Sequence, residues 1–360
     1  MSNARFGFVI HPIDARRDVA RKYPIAKLLP TRVVEWLIKG KSPMVLSHAT
    51  GIRSITGVEA EGWFVGCPLT PRQLLTLPQE FVWKRIVDTC LLAADAGARI
   101  VGLGAFTSVV GDGGITVAKH VPVAVTTGNS YTVATAVEGA LRAAELVGLA
   151  PAECTAAVVG ATGSIGRTCA AILGRQVARL ELVGRDTSSL RQVRKELADA
   201  SSAELVVATG VEEGLQNADI VVTVTSAVDA VIHPRWLKRG CVVCDVARPR
   251  DVSRKVVKER QDVLVIEGGV VEVPGEPDFG FDFGFPPRTA YACMSETMML
   301  ALEGRYESFT LGRHVSVEQV DETQRLAARH GFKLAGFRSF EKPVTDEQIE
   351  RVRRLAGRPA

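Results

Sequence analysis

Aromatic residues are scarce in this chain of 360 residues, of which Phe, Trp and Tyr make up 6%. Its most apolar stretch, residues 100–111, is flanked by Arg99 and Asp112 and is too short to cross a membrane. Residues 1–14 lack the apolar core and the small-residue cleavage pattern of a signal peptide. We therefore predict a cytoplasmic protein without a transmembrane segment.

The chain also lacks a disulfide framework, a metal motif and an excess of one charge. Its seven cysteines are scattered and odd in number, which fits a reducing compartment. Cys241 and Cys244 form a CxxC pair inside an apolar run, and no second Cys or His pair lies at metal-binding spacing. The net charge is only +4, with acidic residues spread among the basic ones, so we predict neither a metal site nor nucleic-acid binding.

Plentiful Gly, Ala and Val favour an α/β protein with parallel strands. Between about residues 151 and 269, apolar strand patterns alternate with helical ones. Strands are predicted at residues 155–159, 180–183, 205–209, 220–225, 241–246 and 263–266, with helices at 164–173 and 189–200. Six short, uncharged strands of this kind indicate a complete Rossmann domain, with its parallel sheet covered on both faces.

Two further α/β and helical regions flank this domain. A strand is predicted at residues 6–10, a helix at 79–96, strands at 100–104 and 121–126, and helices at 131–147 and 289–303. The predicted organisation is an N-terminal α/β substrate domain (1–132), a connecting helix (133–150), a Rossmann domain (151–270) and a C-terminal loop with helices (271–360). The sequence predicts no oligomeric state.

A glycine-rich turn follows the first strand of the Rossmann domain and opens its first helix. Its first glycine permits a tight turn, the second lets the backbone approach a pyrophosphate, and the third lets helix and sheet pack closely. The helix N-terminus then offers free N–H groups to the phosphates. The residues are Gly160, Ala161, Thr162, Gly163, Ser164, Ile165 and Gly166, with GxxGxxG spacing. The alternative is a turn of this kind without a ligand.

The end of the second strand indicates which dinucleotide is bound. The strand is followed by Arg185 and Asp186, where an NAD-binding protein usually has a carboxylate for the ribose hydroxyl. An arginine there suits a 2′-phosphate, so NADP(H) is predicted, while Asp186 leaves NAD open. Thr225 and Ser226, after the fourth strand, are expected near the nicotinamide ribose, or are ordinary small residues at a strand end.

Cys293 is the candidate nucleophile. Pro286 and Pro287 end any earlier helix, which places Cys293 within about the first turn of the next one. The helix dipole lowers the pKa of a thiol there, and Glu296 lies on the same helix face. A cysteine used with a nicotinamide suggests thioester reduction through an acyl-enzyme, although a helix cysteine is more commonly a small buried residue.

The chain resembles the long-chain acyl-[acyl-carrier-protein] reductases of cyanobacteria. The similarity runs through most of the chain, and its most specific segments are Thr126-Thr127-Gly128-Asn129 and Ala292-Cys293-x-x-Glu296. It extends to segments around residues 6–11, 54–57, 64–67, 104–110, 160–166, 268–272, 302–304 and 330–332. The chain departs from the family in Ser130-Tyr131, where the family has a histidine, and in the Phe-rich loop at residues 273–288.

The resemblance implies that Cys293 accepts the acyl group and that the segment 126–132 lines the active site. Thr127 and Asn129 carry groups able to hold a thioester carbonyl; alternatively, Asn129 or Ser130 caps the following helix. The implied function is NADPH-dependent reduction of a fatty acyl thioester to an aldehyde, with acyl carrier protein or coenzyme A as the carrier. The alternatives are an alcohol or hydroxy-acid dehydrogenase of the shikimate-dehydrogenase type without covalent catalysis, and a non-catalytic dinucleotide-binding protein.

Overall fold

A computed structural model describes residues 4–227, 229–282, 284 and 286–359. Its strands are β1 (Ala4–Ile10), β2 (Met44–Arg53), β3 (Glu59–Gly66), β4 (Ile100–Leu103), β5 (Ala124–Thr126), β6 (Thr155–Val159), β7 (Arg179–Val183), β8 (Glu204–Val207), β9 (Ile220–Thr223), β10 (Val242–Asp245), β11 (Leu264–Glu267), β12 (Val270–Glu272), β13 (Gly275–Asp278), β14 (Thr289–Tyr291), β15 (Lys333–Leu334), β16 (Arg338–Ser339) and β17 (Lys342–Pro343).

The helices vary from single turns to five turns. They are α1 (Ala15–Ala20), α2 (Thr31–Lys39), α3 (Pro71–Thr76), α4 (Gln79–Asp95), α5 (Ile115–Lys119), α6 (Asn129–Leu146), α7 (Ser164–Leu173), α8 (Thr187–Leu197), α9 (Val211–Leu215), α10 (Arg254–Glu259), α11 (Ala292–Leu302), α12 (Val317–His330) and α13 (Asp346–Leu355). Short 3-10 helices lie at Pro24–Lys27, Ala105–Ser108, Pro151–Glu153 and Pro234–Trp236.

The chain folds into two compact units that each draw on separate stretches of sequence. The first unit comprises Met1–Gly128, Glu272–Arg313 and Glu322–Lys333. The second comprises Asn129–Val271, His314–Asp321 and Leu334–Ala360. Residues 272–360 are therefore divided between the two units, and α6 belongs to the second.

The second unit contains a six-stranded sheet in the order β11-β10-β9-β6-β7-β8. All of its strand pairs are parallel. Counted from β6, this is the 3-2-1-4-5-6 order of a Rossmann domain, and β6, β9 and β10 are almost completely buried. The predicted fold class is confirmed: a Rossmann domain with an α/β region before it and helices at the C-terminal end of the chain.

The first unit contains a mixed six-stranded sheet in the order β13-β2-β3-β1-β4-β5. β3, β1, β4 and β5 are parallel neighbours, while β2 is antiparallel to β3 and β13 is antiparallel to β2. The sequence analysis did not predict β2 and β3. β2 is half-exposed, contains Gly51 and has two register shifts, which obscure the alternation of a strand.

α11 is the central helix of the first unit and contacts β1, β3 and β4. A Cβ at Gly102 of β4 would lie 2.1 Å from Oγ1 of Thr297, so glycine at that position allows the helix to lie directly on the sheet. Two predicted boundaries need correction. The helix predicted at residues 289–303 begins at Ala292 after the short strand β14, and the helix predicted from residue 131 begins at Asn129. Asn129 and Ser130 are thus inside α6 rather than N-caps.

No helix among the described residues is long and apolar enough to span a membrane.

Candidate active site

Cys293 is the second residue of the 11-residue helix α11 and lies in its first turn, at the positive end of the helix. Tyr291, the N-cap residue before α11, has an extended backbone and makes no side-chain capping hydrogen bond. Every other residue of α11 is buried, whereas Cys293 is only half-buried. A partly exposed sulfur at a helix N-terminus is the arrangement in which a thiolate is stabilised and can still be reached by a substrate.

The other six cysteines of the chain are buried. Burial raises the pKa of the thiols of Cys67, Cys169 and Cys241 to about 12, and that of Cys154 to about 11. The pKa values of Cys90 and Cys244 are also raised by burial. These thiols stay protonated at neutral pH, and their burial separates them from the partly exposed Cys293.

Gly128 lies directly against Cys293. A Cβ at Gly128 would lie 2.3 Å from both Cα and Cβ of Cys293, and Gly128 has a left-handed φ of 74°. Both the contact and the backbone angle therefore require glycine at this position. The loop after β5 is thus in contact with the candidate nucleophile, which the sequence analysis inferred only from the family resemblance.

Glu296 connects α11 to two neighbouring segments of the first unit. Its side chain is completely buried, and its Oε1 accepts hydrogen bonds from the hydroxyls of Thr126 (2.6 Å) and Thr310 (3.0 Å). The N–H of Thr310 donates in turn to Oγ1 of Thr126 at 3.3 Å. The carboxylate therefore holds the end of β5 and the loop that contains Thr310 against the helix that carries Cys293. The sequence around Thr310 carries no motif or periodicity that would predict this contact.

Thr127 makes two hydrogen bonds to the 309–311 stretch of the same unit. Its N–H and its hydroxyl both donate to the carbonyl oxygen of Thr310, at 3.0 and 2.8 Å, and the residue is almost fully buried. The hydroxyl proton is thus used within the protein and is not directed at a substrate oxygen. Asn129, which follows Gly128, is the first residue of α6 in the second unit and is mostly buried.

The predicted phosphate-binding turn has the geometry that its glycines suggest. Gly160 has a left-handed φ of 92°, and a Cβ at Gly166 would lie 2.2 Å from the carbonyl oxygen of Gly160. Gly163 occupies the N-cap position of α7, with Ala161 buried and Thr162 exposed before it. The hydroxyl of Ser164 is buried and makes no hydrogen bond to any described residue. An unsatisfied hydroxyl at this helix N-terminus fits a bound phosphate oxygen.

Beyond β7, the arginine and the aspartate have different environments. Arg185 is exposed directly after Gly184. Asp186 is the N-cap of α8 and accepts hydrogen bonds from the N–H and hydroxyl of Ser188 (3.0 and 2.8 Å) and the hydroxyl of Ser189 (2.5 Å). These hydrogen bonds lower the pKa of Asp186. Both carboxylate oxygens are therefore engaged in capping the helix.

Thr225 and Ser226 lie after β9, as expected, but their side chains differ in use. Thr225 donates its N–H and its hydroxyl to Asp251, a fully buried residue that also accepts from Thr223. Ser226 is exposed. Asp251 holds the end of β9 although it lies 26 residues after Thr225, so no local sequence pattern predicts its contact.

In the first unit, the hydrogen bonds of His11, Asp112 and His120 are made to backbone groups and to Thr116. His11 is neutral at pH 7, since burial lowers its pKa to about 4. Its Nε2 accepts the N–H of Phe106 at 3.1 Å, and its Nδ1 lies 3.2 Å from the carbonyl oxygen of Pro12. Asp112 accepts hydrogen bonds from the N–H and the hydroxyl of Thr116, and Nδ1 of His120 lies 2.8 Å from the carbonyl oxygen of Thr116. No group of three His, Cys, Asp or Glu in the described residues is placed to hold a metal ion.

Known proteins resemble this chain in its Rossmann part and over its length. Residues 143–267 match the shikimate/quinate 5-dehydrogenase family. The aminotransferase PigE of Serratia sp. is 29% identical over 97% of this chain, but the chain spans only 42% of the length of PigE. L-tryptophan dehydrogenase from Nostoc punctiforme is 11% identical, with 99% of this chain and 87% of that chain covered and a TM-score of 0.42.

The long-chain acyl-[acyl-carrier-protein] reductase of Synechococcus elongatus is 27% identical over 91% of this chain and 98% of its own length. This similarity includes both the Rossmann part and the segment that carries Cys293. The predicted resemblance is therefore confirmed: the chain is similar to the cyanobacterial long-chain acyl-[acyl-carrier-protein] reductases over nearly its whole length.

Proposed function

We propose that this protein reduces a fatty acyl thioester to an aldehyde, with NADPH as the reductant and an acyl group on Cys293 as the intermediate. The similarities to reductases and dehydrogenases support the coarser statement that it is an NAD(P)-dependent oxidoreductase. The observation that carries the finer proposal is the placement of Cys293. It is partly exposed at the N-terminus of α11, while the other cysteines are buried.

In the proposed reaction, the Cys293 thiolate attacks the thioester carbonyl and forms a new carbon–sulfur bond. The bond to the carrier sulfur breaks, and the carrier leaves as a thiolate that takes up a proton. The positive end of α11 favours the thiolate over the thiol. NADPH, when bound, supplies the hydride that converts the acyl group to the aldehyde and releases the Cys293 thiolate.

The surrounding residues hold this nucleophile in place. Glu296, bonded to Thr126 and Thr310, fixes the start of α11 against the end of β5. Gly128, in the short loop between β5 and α6, lies against Cys293 without overlap because it has no side chain. We assign Glu296 and Thr127 as positioning residues, and Asn129 as the candidate donor to the substrate carbonyl oxygen. Precise positioning of this kind contributes a large part of many enzymatic rate enhancements.

The cofactor assignment rests on the second unit. The turn from Gly160 to Gly166 would hold the pyrophosphate, with the Ser164 hydroxyl directed to a phosphate oxygen. Arg185 would pair with the 2′-phosphate of NADP(H), because Asp186 is engaged as a helix cap. Ser226 would lie near the nicotinamide ribose. A location in the cytoplasm fits the seven cysteines, none of which forms a disulfide. The proposed carrier of the acyl group is acyl carrier protein.

Intact-protein mass spectrometry after incubation with a long-chain acyl-CoA tests the covalent step. We expect an adduct of one acyl group on the wild-type chain and on Cys67→Ser, and no adduct or aldehyde from Cys293→Ser. The buried Cys67 is the matched control, since its thiol pKa is about 12. A near-normal rate of aldehyde formation by Cys293→Ser would exclude the covalent mechanism and favour the shikimate-dehydrogenase type of reaction. Tight NADPH binding without any turnover would favour a non-catalytic protein.

A further inference from the structure

A helical segment between β1 and β2, residues 15–41, exposes large apolar side chains. We call it the α1–α2 segment, because it contains α1, the 3-10 helix Pro24–Lys27 and α2. Leu28 is 84% exposed, Trp36 71% and Ile25 66%. Tyr23, Val33 and Leu37 are exposed as well. A group of large exposed apolar side chains within one short segment indicates a candidate interaction surface.

These side chains are not needed to hold the segment on the protein. In α2, Val34 and Ile38 are four residues apart and pack with Ala15, Ala20 and Ala26 in a small core cluster. Val33, Trp36 and Leu37 share another face of the same helix, which is exposed. α2 therefore has two apolar faces, and only one of them is used within the described part of the chain.

The α1–α2 segment also has an excess of positive charge. The segment contains eight Lys and Arg residues and two acidic residues, a net charge of +6, whereas the whole chain carries +4. Both acidic side chains are engaged in the protein. Asp18 accepts the N–H groups of Ile13 and Asp14 at 2.8 and 2.9 Å, and Glu35 is buried and bound by Arg72 and Thr70. The charge presented by the segment is therefore predominantly basic.

We propose that the α1–α2 segment binds the surface of an anionic lipid bilayer. Tryptophan, tyrosine and leucine side chains flanked by lysine and arginine are the composition of helices that lie in a membrane interface. An acidic protein partner would also satisfy the charge. However, the apolar side chains are spread over two successive helical elements, and a protein would need a matching groove for each, whereas a bilayer accepts them without shape complementarity. This inference does not depend on the proposed reaction.

Flotation of the full-length protein with lipid vesicles tests the proposal. We expect binding to phosphatidylcholine vesicles that contain phosphatidylglycerol, and roughly tenfold or more weaker binding to pure phosphatidylcholine or at high salt. The double variant Leu28→Gln/Trp36→Gln should weaken binding to the anionic vesicles by about tenfold or more. Leu75→Gln, at a residue of α3 that is 48% exposed in the same unit, should bind like the wild type.

A charge variant provides the second test. Lys27→Glu/Lys39→Glu should reduce binding to anionic vesicles while leaving thermal unfolding unchanged, because both side chains are exposed or half-exposed. The proposal is overturned if the wild type does not bind the anionic vesicles at low salt, or if both double variants bind as well as it does. Two other outcomes would also overturn it, provided that no vesicle binding occurs. One is a dimer that Leu28→Gln/Trp36→Gln abolishes, and the other is binding to acyl carrier protein that the same variant abolishes.

Discussion

At the scale of single residues, function depends on differences between chemically identical side chains. Cys293 and Cys67 carry the same thiol, yet Cys67 is fully buried and its pKa is raised to about 12. Cys293 is partly exposed at a helix N-terminus. Neighbouring residues also differ in their environments: Asp186 accepts hydrogen bonds from Ser188 and Ser189, whereas Arg185 is exposed.

Arg185→Ala should weaken binding of NADPH much more than binding of NADH. The expected loss is on the order of 1.5–3 kcal/mol, about ten- to a hundredfold in affinity, because a charge-assisted pair with the 2′-phosphate is removed. Fluorescence titration with both cofactors measures this. Arg142→Ala, an exposed arginine of α6 in the same unit, is the control. An equal loss for the two cofactors, or a wild-type preference for NADH, would contradict the NADP assignment.

At the scale of secondary structure elements, the candidate site depends on how closely a loop and a helix approach. The buried carboxylate of Glu296, on α11, binds both the end of β5 and the loop that contains Thr310. Gly128 then brings the chain after β5 into contact with Cys293. None of these contacts follows from the local sequence of one element.

Gly128→Ala should slow acylation of Cys293 by on the order of a hundredfold or more, because the new methyl group displaces the loop or the nucleophile by about an ångström. Gly57→Ala is a matched control. Gly57 also has a left-handed φ, 88°, but an added Cβ there meets nothing within 4 Å. Both variants carry the backbone strain, and only Gly128→Ala carries the overlap. Comparable acylation rates for the two variants, measured by mass spectrometry, would show that the contact has no functional role.

At the scale of the whole molecule, the chain builds two units from interleaved stretches of sequence. The N-terminal stretch of the first unit ends at Gly128, and α11 begins 164 residues later. This helix nevertheless forms the buried centre of the first unit. The candidate nucleophile therefore belongs structurally with the N-terminal sheet, although the entire Rossmann domain separates the two in the sequence.

The stability of the molecule should fall as the pH is lowered below about 6.5. In the unfolded chain His11 becomes protonated near pH 6.5, whereas in the folded protein it stays neutral until about pH 4. The free energy of unfolding therefore falls as the pH is lowered between these two values. His11 contributes up to about 3 kcal/mol to this loss. His11→Gln should therefore lose less stability between pH 7 and pH 4 in urea unfolding. His330, whose pKa is also lowered by burial, is retained in both proteins. Identical pH profiles would refute this assignment.

The sequence by itself determined the features whose signals are local. The six strands of the Rossmann sheet, the glycine turn and the helix N-terminus at Cys293 all follow from apolar runs, glycine spacing and proline positions within a few residues. The antiparallel strands β2 and β3 were missed, because one half-exposed face and two register shifts hide their periodicity.

Only the tertiary structure decided which side chains act together. The Thr310 hydroxyl donates to Glu296, and the Thr225 hydroxyl donates to Asp251. The Thr127 hydroxyl donates to the backbone carbonyl of Thr310. It also showed that the α1–α2 segment exposes its second apolar face. Hydrogen bonds and burial depend on the positions of groups that are distant in the chain, so no pattern within a short window of sequence specifies them.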